Sequence, residues 1–380
     1  MFFIPKLSIY CRRLVLSKYK ICVYAISKNE EKFVDRWMDA VSEADMVVVL
    51  DTGSTDSTVE KLRERGAVVY VEKINPWRFD TARNKAMDYI PEDFDICVSN
   101  DLDEVFKTGW REKLENAWKP CHTRARYMFT CSYHADGTPN KQFPMEKIHR
   151  RHGFRWVHPV HEVLKYSGED KDSVVWVPGL VLNHYPDLNK PRTQYLPLLE
   201  LSVEENPDND RAVFWLGREY MFYKMYDKSI ETLKKYLQMP TAVWNEERSA
   251  AMRFISNGYK EKGNKQEARA WLYRAIAECP HVREPYLYMA KLGYEENDWP
   301  LVYLMVVKGL GITEKTGSYL LEVESWGEKL YDLGAICTYR LGLYAQSLEY
   351  AKKACEMKPN DARLKRNLEL IENKYNESVR

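Results

Sequence analysis

The chain carries two hydropathy textures. From Ile21 to about Tyr185, short apolar runs alternate with segments of helical spacing. Ile21 to Ile26, Met46 to Leu50, Val68 to Val71 and Phe94 to Ser99 read as strands. Glu30 to Val41, Thr55 to Arg65 and Thr81 to Tyr89 place their apolar residues three and four apart and read as helices. This alternation predicts an α/β unit with a largely parallel sheet. Past Pro186 the texture is helical, rich in Tyr, Leu, Ala, Lys and Glu, and broken near Pro207, Pro240, Pro280 and Pro359.

The helical half contains an internal period. Leu216, Gly217 and Tyr220, followed by Ser229, Leu233 and Pro240, match positions of the tetratricopeptide repeat, and Tyr259, Ala268, Leu272, Ala275 and Pro280 match it more closely. Degenerate units follow around Ala290 to Gly309 and around Ala335, Ser347, Ala354 and Pro359. A generic helical bundle with small residues at close contacts is the alternative. The expected organisation is an N-terminal extension over 1–20, an α/β domain over 21–190 and a helical-repeat domain over 191–380. Stacked helix pairs suit an extended peptide or a partner chain, and Phe222, Tyr223 and Tyr226 are candidates to line that surface, though most such aromatics belong to the core.

Composition narrows the function classes. With 45% hydrophobic residues, 380 residues suffice for two or three cored domains. A formal charge of +1 provides no global field for nucleic acid or an anionic membrane, so phosphate recognition must be local. The eight cysteines show no CxxC spacing, which points to reduced thiols in an intracellular protein and away from a cysteine zinc site. Met1 to Lys20 mixes Phe and Ile with Lys and Arg without an apolar stretch of signal or membrane-span length. A cytoplasmic protein with a poorly anchored N-terminus is expected.

Open α/β sheets bind ligands beyond the carboxyl ends of their strands. That rule selects Ser27 to Glu30, Asp51 to Asp56 and Asn100 to Glu104. In the last, Asp101-Leu102-Asp103 follows a buried-type strand at once, and two carboxylates there offer hard oxygen ligands for Mg2+ or Mn2+. The same triplet is also a common turn. In the second, Gly53 allows close backbone approach, and Ser54, Thr55 and Asp56 are helix-capping residues.

In order, Ser27-Lys28-Asn29-Glu30-Glu31, Asp51-Thr52-Gly53-Ser54-Thr55-Asp56, Ala82-Arg83-Asn84 and Asp101-Leu102-Asp103 resemble the family-two nucleotide-sugar glycosyltransferases of the GT-A fold. The resemblance implies that Ala25, Ser27, Glu30 and Asp51 surround the base and ribose of a nucleoside diphosphate, a UDP-sugar being the expected donor. It implies Arg83 near the nucleotide or its diphosphate, Asp101 near ribose and metal, and Asp103 as principal ligand of Mn2+ or Mg2+. The chain departs from the commoner form in having Asp51-Thr52 where two acidic residues stand, and Leu102 where a small residue stands.

His149, His152, His158 and His161 lie close in sequence, with Glu162 and then His184 beyond. Alternation of His149 and His152 with Arg150, Arg151 and Arg155 fits hairpin strands better than a zinc centre. Trp156-Val157-His158-Pro159-Val160-His161-Glu162, with Arg150, is similar to the acceptor-bordering segment of glycosyltransferases that carry C-terminal tetratricopeptide repeats, including the S-glycosyltransferases of bacteriocin peptides. Phe79-Asp80-Thr81-Ala82-Arg83-Asn84 is similar to a run in the same enzymes. Glu162, His158 and His161 are candidate catalytic bases, and His184 is a candidate to complete the metal shell. Trp77, Trp156 and Tyr185 are candidates to stack on sugar or acceptor, although each taken singly reads as core packing. The expectation is a metal-dependent inverting transfer of sugar to a peptide or protein side chain, the repeats holding the acceptor. A glycan or lipid-linked acceptor, a non-catalytic repeat scaffold and a nucleotidyltransferase are the rivals; the last would want a glycine-rich phosphate loop that Ala25 to Glu31 lacks. Neither nucleic acid nor a stable membrane span is expected, and the oligomeric state stays open, a homodimer included.

Overall fold

The computed structural model describes residues 18–134, 136–187 and 193–380. Most of the N-terminal extension, Cys11 and the expected 190/191 boundary lie outside the described residues. Contacts divide the chain into two units, one comprising 1–128, 145–157 and 163–186, the other 129–144, 158–162 and 187–380.

The first unit opens with β1 (Ile21–Ser27), α1 (Val34–Val41), β2 (Met46–Asp51), α2 (Thr58–Glu64), β3 (Val68–Val71), α3 (Phe79–Asp88) and β4 (Ile96–Ser99). β1 pairs in parallel with β2 and β4, and β2 in parallel with β3. Burial on both faces explains why β1, β2 and β4 read as continuous apolar runs. α1 buries Val34, Trp37, Met38 and Val41, one stripe of a 3.6-residue period. It begins four residues after the expected Glu30; residues 31–33 form a turn, and the Glu30 and Glu31 amides donate to Thr58 Oγ1 and Asp56 Oδ2 of the neighbouring loop.

The sheet then acquires antiparallel members. After β5 (Glu104–Phe106) and α4 (Trp110–Ala117) come β6 (Arg124–Tyr133), β7 (Pro139–Arg150), the small pair β8 (Phe154–Val157) and β9 (Val163–Tyr166), and β10 (Val174–His184). The eight-stranded order is β3-β2-β1-β4-β7-β6-β10-β5, a GT-A-like arrangement with its parallel half at one side. β7 is antiparallel to β4 and β10 to β5, which sets His184 opposite Glu104.

The second unit is built from α5 (Tyr195–Glu205), α6 (Asp210–Phe222), α7 (Tyr226–Gln238), α8 (Asn245–Glu261), α9 (Lys265–Glu278), α10 (Glu284–Glu295), α11 (Trp299–Leu310), α12 (Lys329–Arg340), α13 (Tyr344–Met357) and α14 (Ala362–Ser378). α6 and α8 begin 35 residues apart, close to the tetratricopeptide period of about 34. The small residues of the repeat pattern sit where paired helices touch. A Cβ on Gly217 would stand 2.5 Å from Leu233 Cγ, and Ser229 Oγ donates to the Gly217 carbonyl at 2.7 Å. Ser256 to Ala268 O and Ser347 to Ala335 O repeat that hydroxyl contact in later pairs. Of the three aromatics proposed for a binding surface, Phe222 and Tyr223 are exposed and Tyr226 is half-buried. Among the described residues no helix is long and apolar enough to cross a membrane.

Candidate active site

Parallel pairing brings the ends of β1 and β2 side by side, with Ser27 opposite Asp51. Asp51 is fully buried and its carboxylate accepts four hydrogen bonds: from Ser27 Oγ at 2.8 Å, Gly53 N at 3.0 Å, Ser54 N at 2.8 Å and Ser54 Oγ at 2.5 Å. Gly53 sits at φ +111°, a backbone region that favours glycine. Asn29 Oδ1 accepts from Thr55 N at 2.7 Å, and Ser54 Oγ accepts from Asn29 N at 2.8 Å. The two loops are thereby stitched together. Ala25 is buried within β1, and Glu30 is half-buried on the stitched loop.

At the end of β4 the chain places a charge cluster. Arg83, on α3, donates from Nη1 to Asp101 Oδ1 at 2.7 Å and from Nη2 to Oδ2 at 3.0 Å. Lys147 Nζ reaches Asp101 at 3.2 Å and Glu104 at 2.8 Å, and Glu104 Oε2 accepts from the Asp101 amide at 2.9 Å. Burial alone pushes a carboxyl up, but Arg83 and then Lys147 outweigh it and hold Asp101 well below the usual carboxylate range. Burial lowers a lysine, yet Asp101 and Glu104 together raise Lys147. Burial is the leading cause that raises the Glu104 carboxyl. Sequence reasoning placed Glu104 in the selected Asn100 to Glu104 cluster but missed Lys147.

Leu102 is 2% exposed and anchors the triplet in the core. Asp103, one residue further, faces His184, whose Nε2 lies 3.1 Å from Asp103 Oδ2. The Asp103 carbonyl accepts from Tyr185 N at 2.8 Å. Both side chains are about a quarter exposed, at 25% and 27%. Burial would lower His184, but its contact with Asp103 raises it overall. The two side chains meet each other directly, and both a carboxylate and an imidazole nitrogen are ligand types for a divalent cation. Among the described residues no group of three or more His, Cys, Asp and Glu is placed to hold a metal ion. A cation at Asp103 and His184 would have to draw its remaining ligands from other groups.

Of the remaining candidates, Trp156 and Tyr185 touch this cluster and the others do not. Trp156 is buried; its Nε1 donates to Tyr24 Oη at 2.8 Å and Arg83 lies over its ring at 5.1 Å. Tyr185 is 38% exposed with Arg36 stacked at 4.8 Å, and Trp77 meets Phe79 edge-on. His149 is buried against Tyr24 Oη at 2.9 Å, while His152 pairs with Glu92, so these two histidines are separate structural residues. His158, His161 and Glu162 belong to the second unit. There Asn209 Nδ2 approaches His158 Nε2 at 3.3 Å, and His161 stacks on Trp215 with centroids 4.3 Å apart. Both histidines have positive φ, +80° and +50°, in a short strained connection.

Residues 22–156 match the model of glycosyl transferase family 2. This stretch thus carries a glycosyl transferase family 2 domain, which supports a glycosyltransferase that uses a nucleotide-sugar. No curated protein matches the chain. Among solved structures, Pseudomonas aeruginosa PilF is similar at 12% identity and TM-score 0.37, covering 47% of this chain and 72% of PilF. MamA is similar at 20% identity and TM-score 0.36, covering 47% of this chain and 99% of MamA. A thermophilic tetratricopeptide-repeat protein of Thermus thermophilus is similar at 18% identity and TM-score 0.32, covering 46% of this chain and 88% of that one. The repeat assignment rests on the chain's own helix spacing and close contacts.

Proposed function

We propose that this chain is a metal-dependent inverting glycosyltransferase that moves a sugar from a UDP-sugar to a peptide or protein side chain held by the helical repeats. The supporting observation is a division of labour within the acidic triplet. Asp101 is committed to Arg83 and Lys147, whereas Asp103 and His184 face one another in a half-open position.

In this reading Asp103 and His184 hold Mn2+ or Mg2+. Such a cation, when bound, neutralises the charge that develops on the leaving diphosphate. Arg83 and Lys147 keep Asp101 ionised and fixed beside the ribose. Asp51, with its acceptor capacity taken up by its own loop, supports the base-binding edge by holding Ser27 and the Gly53 turn in place. Ala25, Ser27 and Glu30 line that edge. Glu162, His158 and His161 are the proposed bases for the acceptor proton, since a carboxylate or imidazole within hydrogen-bond reach suffices. A thiol acceptor near its own pKa would ask less of that base.

Calorimetric titration with UDP, with and without Mn2+, tests the donor half. Metal-dependent binding lost in Asp103→Ala supports the reading; UDP binding indifferent to metal in both proteins removes the metal role. Transfer from UDP-sugars to thiol and hydroxyl peptides, against simple saccharides, tests the acceptor.

A further inference from the structure

Two consecutive residues of α3 grip one residue of β8. The Asn84 side chain takes both main-chain groups of Trp156: its Nδ2 donates to the Trp156 carbonyl at 2.8 Å, and its Oδ1 accepts from the Trp156 amide at 2.9 Å. Only one orientation of the side-chain amide makes both bonds. Both main-chain groups therefore point away from β9, and the Asn84 amide stands where a third strand would pair with this two-stranded sheet. The preceding residue, Arg83, sets its guanidinium 5.1 Å from the centre of the Trp156 ring.

The ring edge is fixed as well. An indole nitrogen only donates, so the Tyr24 oxygen accepts from Trp156 Nε1 at 2.8 Å. Tyr24 Oη lies 2.9 Å from His149 Nε2, and His149 Nδ1 lies 2.8 Å from the Arg150 carbonyl. That carbonyl only accepts, so it draws the imidazole proton to Nδ1 and leaves Nε2 to accept from Tyr24. One order of donors and acceptors thus runs from Trp156 through Tyr24 and His149 to the main chain. Tyr24 and His149 are fully buried and Trp156 is 4% exposed. A ring this enclosed, with Arg83 over it, has no surface left on which a sugar could stack. The guanidinium that rests on it turns its nitrogens to Asp101, at 2.7 Å and 3.0 Å, and to Ser99 Oγ at 3.3 Å. Stacking on a fixed aromatic face constrains the plane of that fork.

We propose that Trp156 and Asn84 are positioning residues for the nucleotide-sugar. Asn84 fixes the Trp156 main chain, the Trp156 ring sets the tilt of Arg83, and Arg83 presents the Asp101 carboxylate to the donor. The proposal rests on the reading that Asp101 lies beside the donor's ribose.

Trp156→Phe and Trp156→Leu separate positioning from packing. Both lose the bond to Tyr24 and both shrink the side chain, but only phenylalanine keeps a ring under Arg83. UDP affinity, measured by calorimetry on the full chain with Mn2+ present, should stay within about threefold of the parent in Trp156→Phe and fall by about tenfold or more in Trp156→Leu and Asn84→Ala, since small displacements of a positioned group are costly. The arginine Nε–Hε spectrum reads the geometry without nucleotide. The Arg83 signal, assigned by its loss in Arg83→Lys, should be shifted upfield by the ring in the parent and in Trp156→Phe, and should lose that shift in Trp156→Leu. Equal UDP affinity in the two Trp156 variants overturns the positioning role, and an unshifted Arg83 signal in the parent overturns the stacking on which it depends. A parent that binds neither UDP nor another nucleoside diphosphate removes the donor-site reading and the proposal with it, whereas a parent that binds UDP no better than all three variants overturns the proposal alone. Should both Trp156 variants fail to fold, Asn84→Ala decides: affinity and ring shift lost together support the proposal, and affinity lost with the shift retained overturns it.

Discussion

Arg83 and Asp101 form a two-pronged ion pair in which the guanidinium is 7% exposed and the carboxylate 27%. The fork geometry is what a lysine cannot reproduce. Arg83→Lys should weaken UDP binding by calorimetry, and Arg83→Ala should in addition cost about 3 kcal/mol of stability, the range for stripping one partner from a buried pair. Urea denaturation of both variants checks the second figure, and an unchanged midpoint in Arg83→Ala would show that Lys147 alone holds Asp101.

Asp103→Asn and His184→Ala should leave Tm within a few degrees of the parent, since both side chains are partly exposed and outside the core. Each should remove most of the metal stimulation of UDP binding. Removal of metal from the parent with a chelator should reproduce the same loss.

His149 provides a pH handle on the first unit. Burial, helped by Arg124 and Arg151 and opposed by the hydrogen bond to Arg150 O, pushes it down to about 4 from 6.5. Between those values the unfolded chain binds the proton and the folded chain does not, so stability is full above about pH 6.5 and falls as pH drops toward 4. The loss should total about 3 kcal/mol and be missing in His149→Gln. Denaturation midpoints measured across that window check it.

Gly217→Ala should destabilise the second unit by about 1 to 3 kcal/mol, because the added Cβ falls inside contact distance of Leu233 and the helix pair must part to admit it. Gly217→Ala combined with Leu233→Ala should recover part of the loss, and a strictly additive pair would refute the clash.

The parallel core was legible because β1, β2 and β4 are buried on both faces and so print uninterrupted apolar runs. The acidic turn after β4 was legible as a change of chemistry, because the apolar run stops at Ser99 and carboxylates follow at Asp101 and Asp103. Lys147 was not. It lies on a strand where apolar and polar residues alternate, so its charge reads as solvent-facing, and only the antiparallel register of β7 on β4, with Ile148 opposite Val98, sets it beside Asp101. The connection between α11 and α12 was equally silent, since its Thr-, Ser- and Glu-rich sequence specifies a loop without saying that it lies on Trp215, Glu247 and Arg253. The pairing of Asp103 with His184 depends on β10 closing against β5, a contact across 81 residues that no local pattern encodes.

The unit division has a practical corollary for dissecting the molecule. Residues 129–144 and 158–162 lie inside the catalytic stretch of sequence, yet their partners are Tyr319, Asn209 and Trp215. A protein cut before α5 would keep the Asp51 loop and the Asp101–Glu104 cluster and still leave Lys141, His158 and His161 without these partners. The two units are interleaved along the chain, and a transplanted catalytic half would have to bring its own replacement for those surfaces.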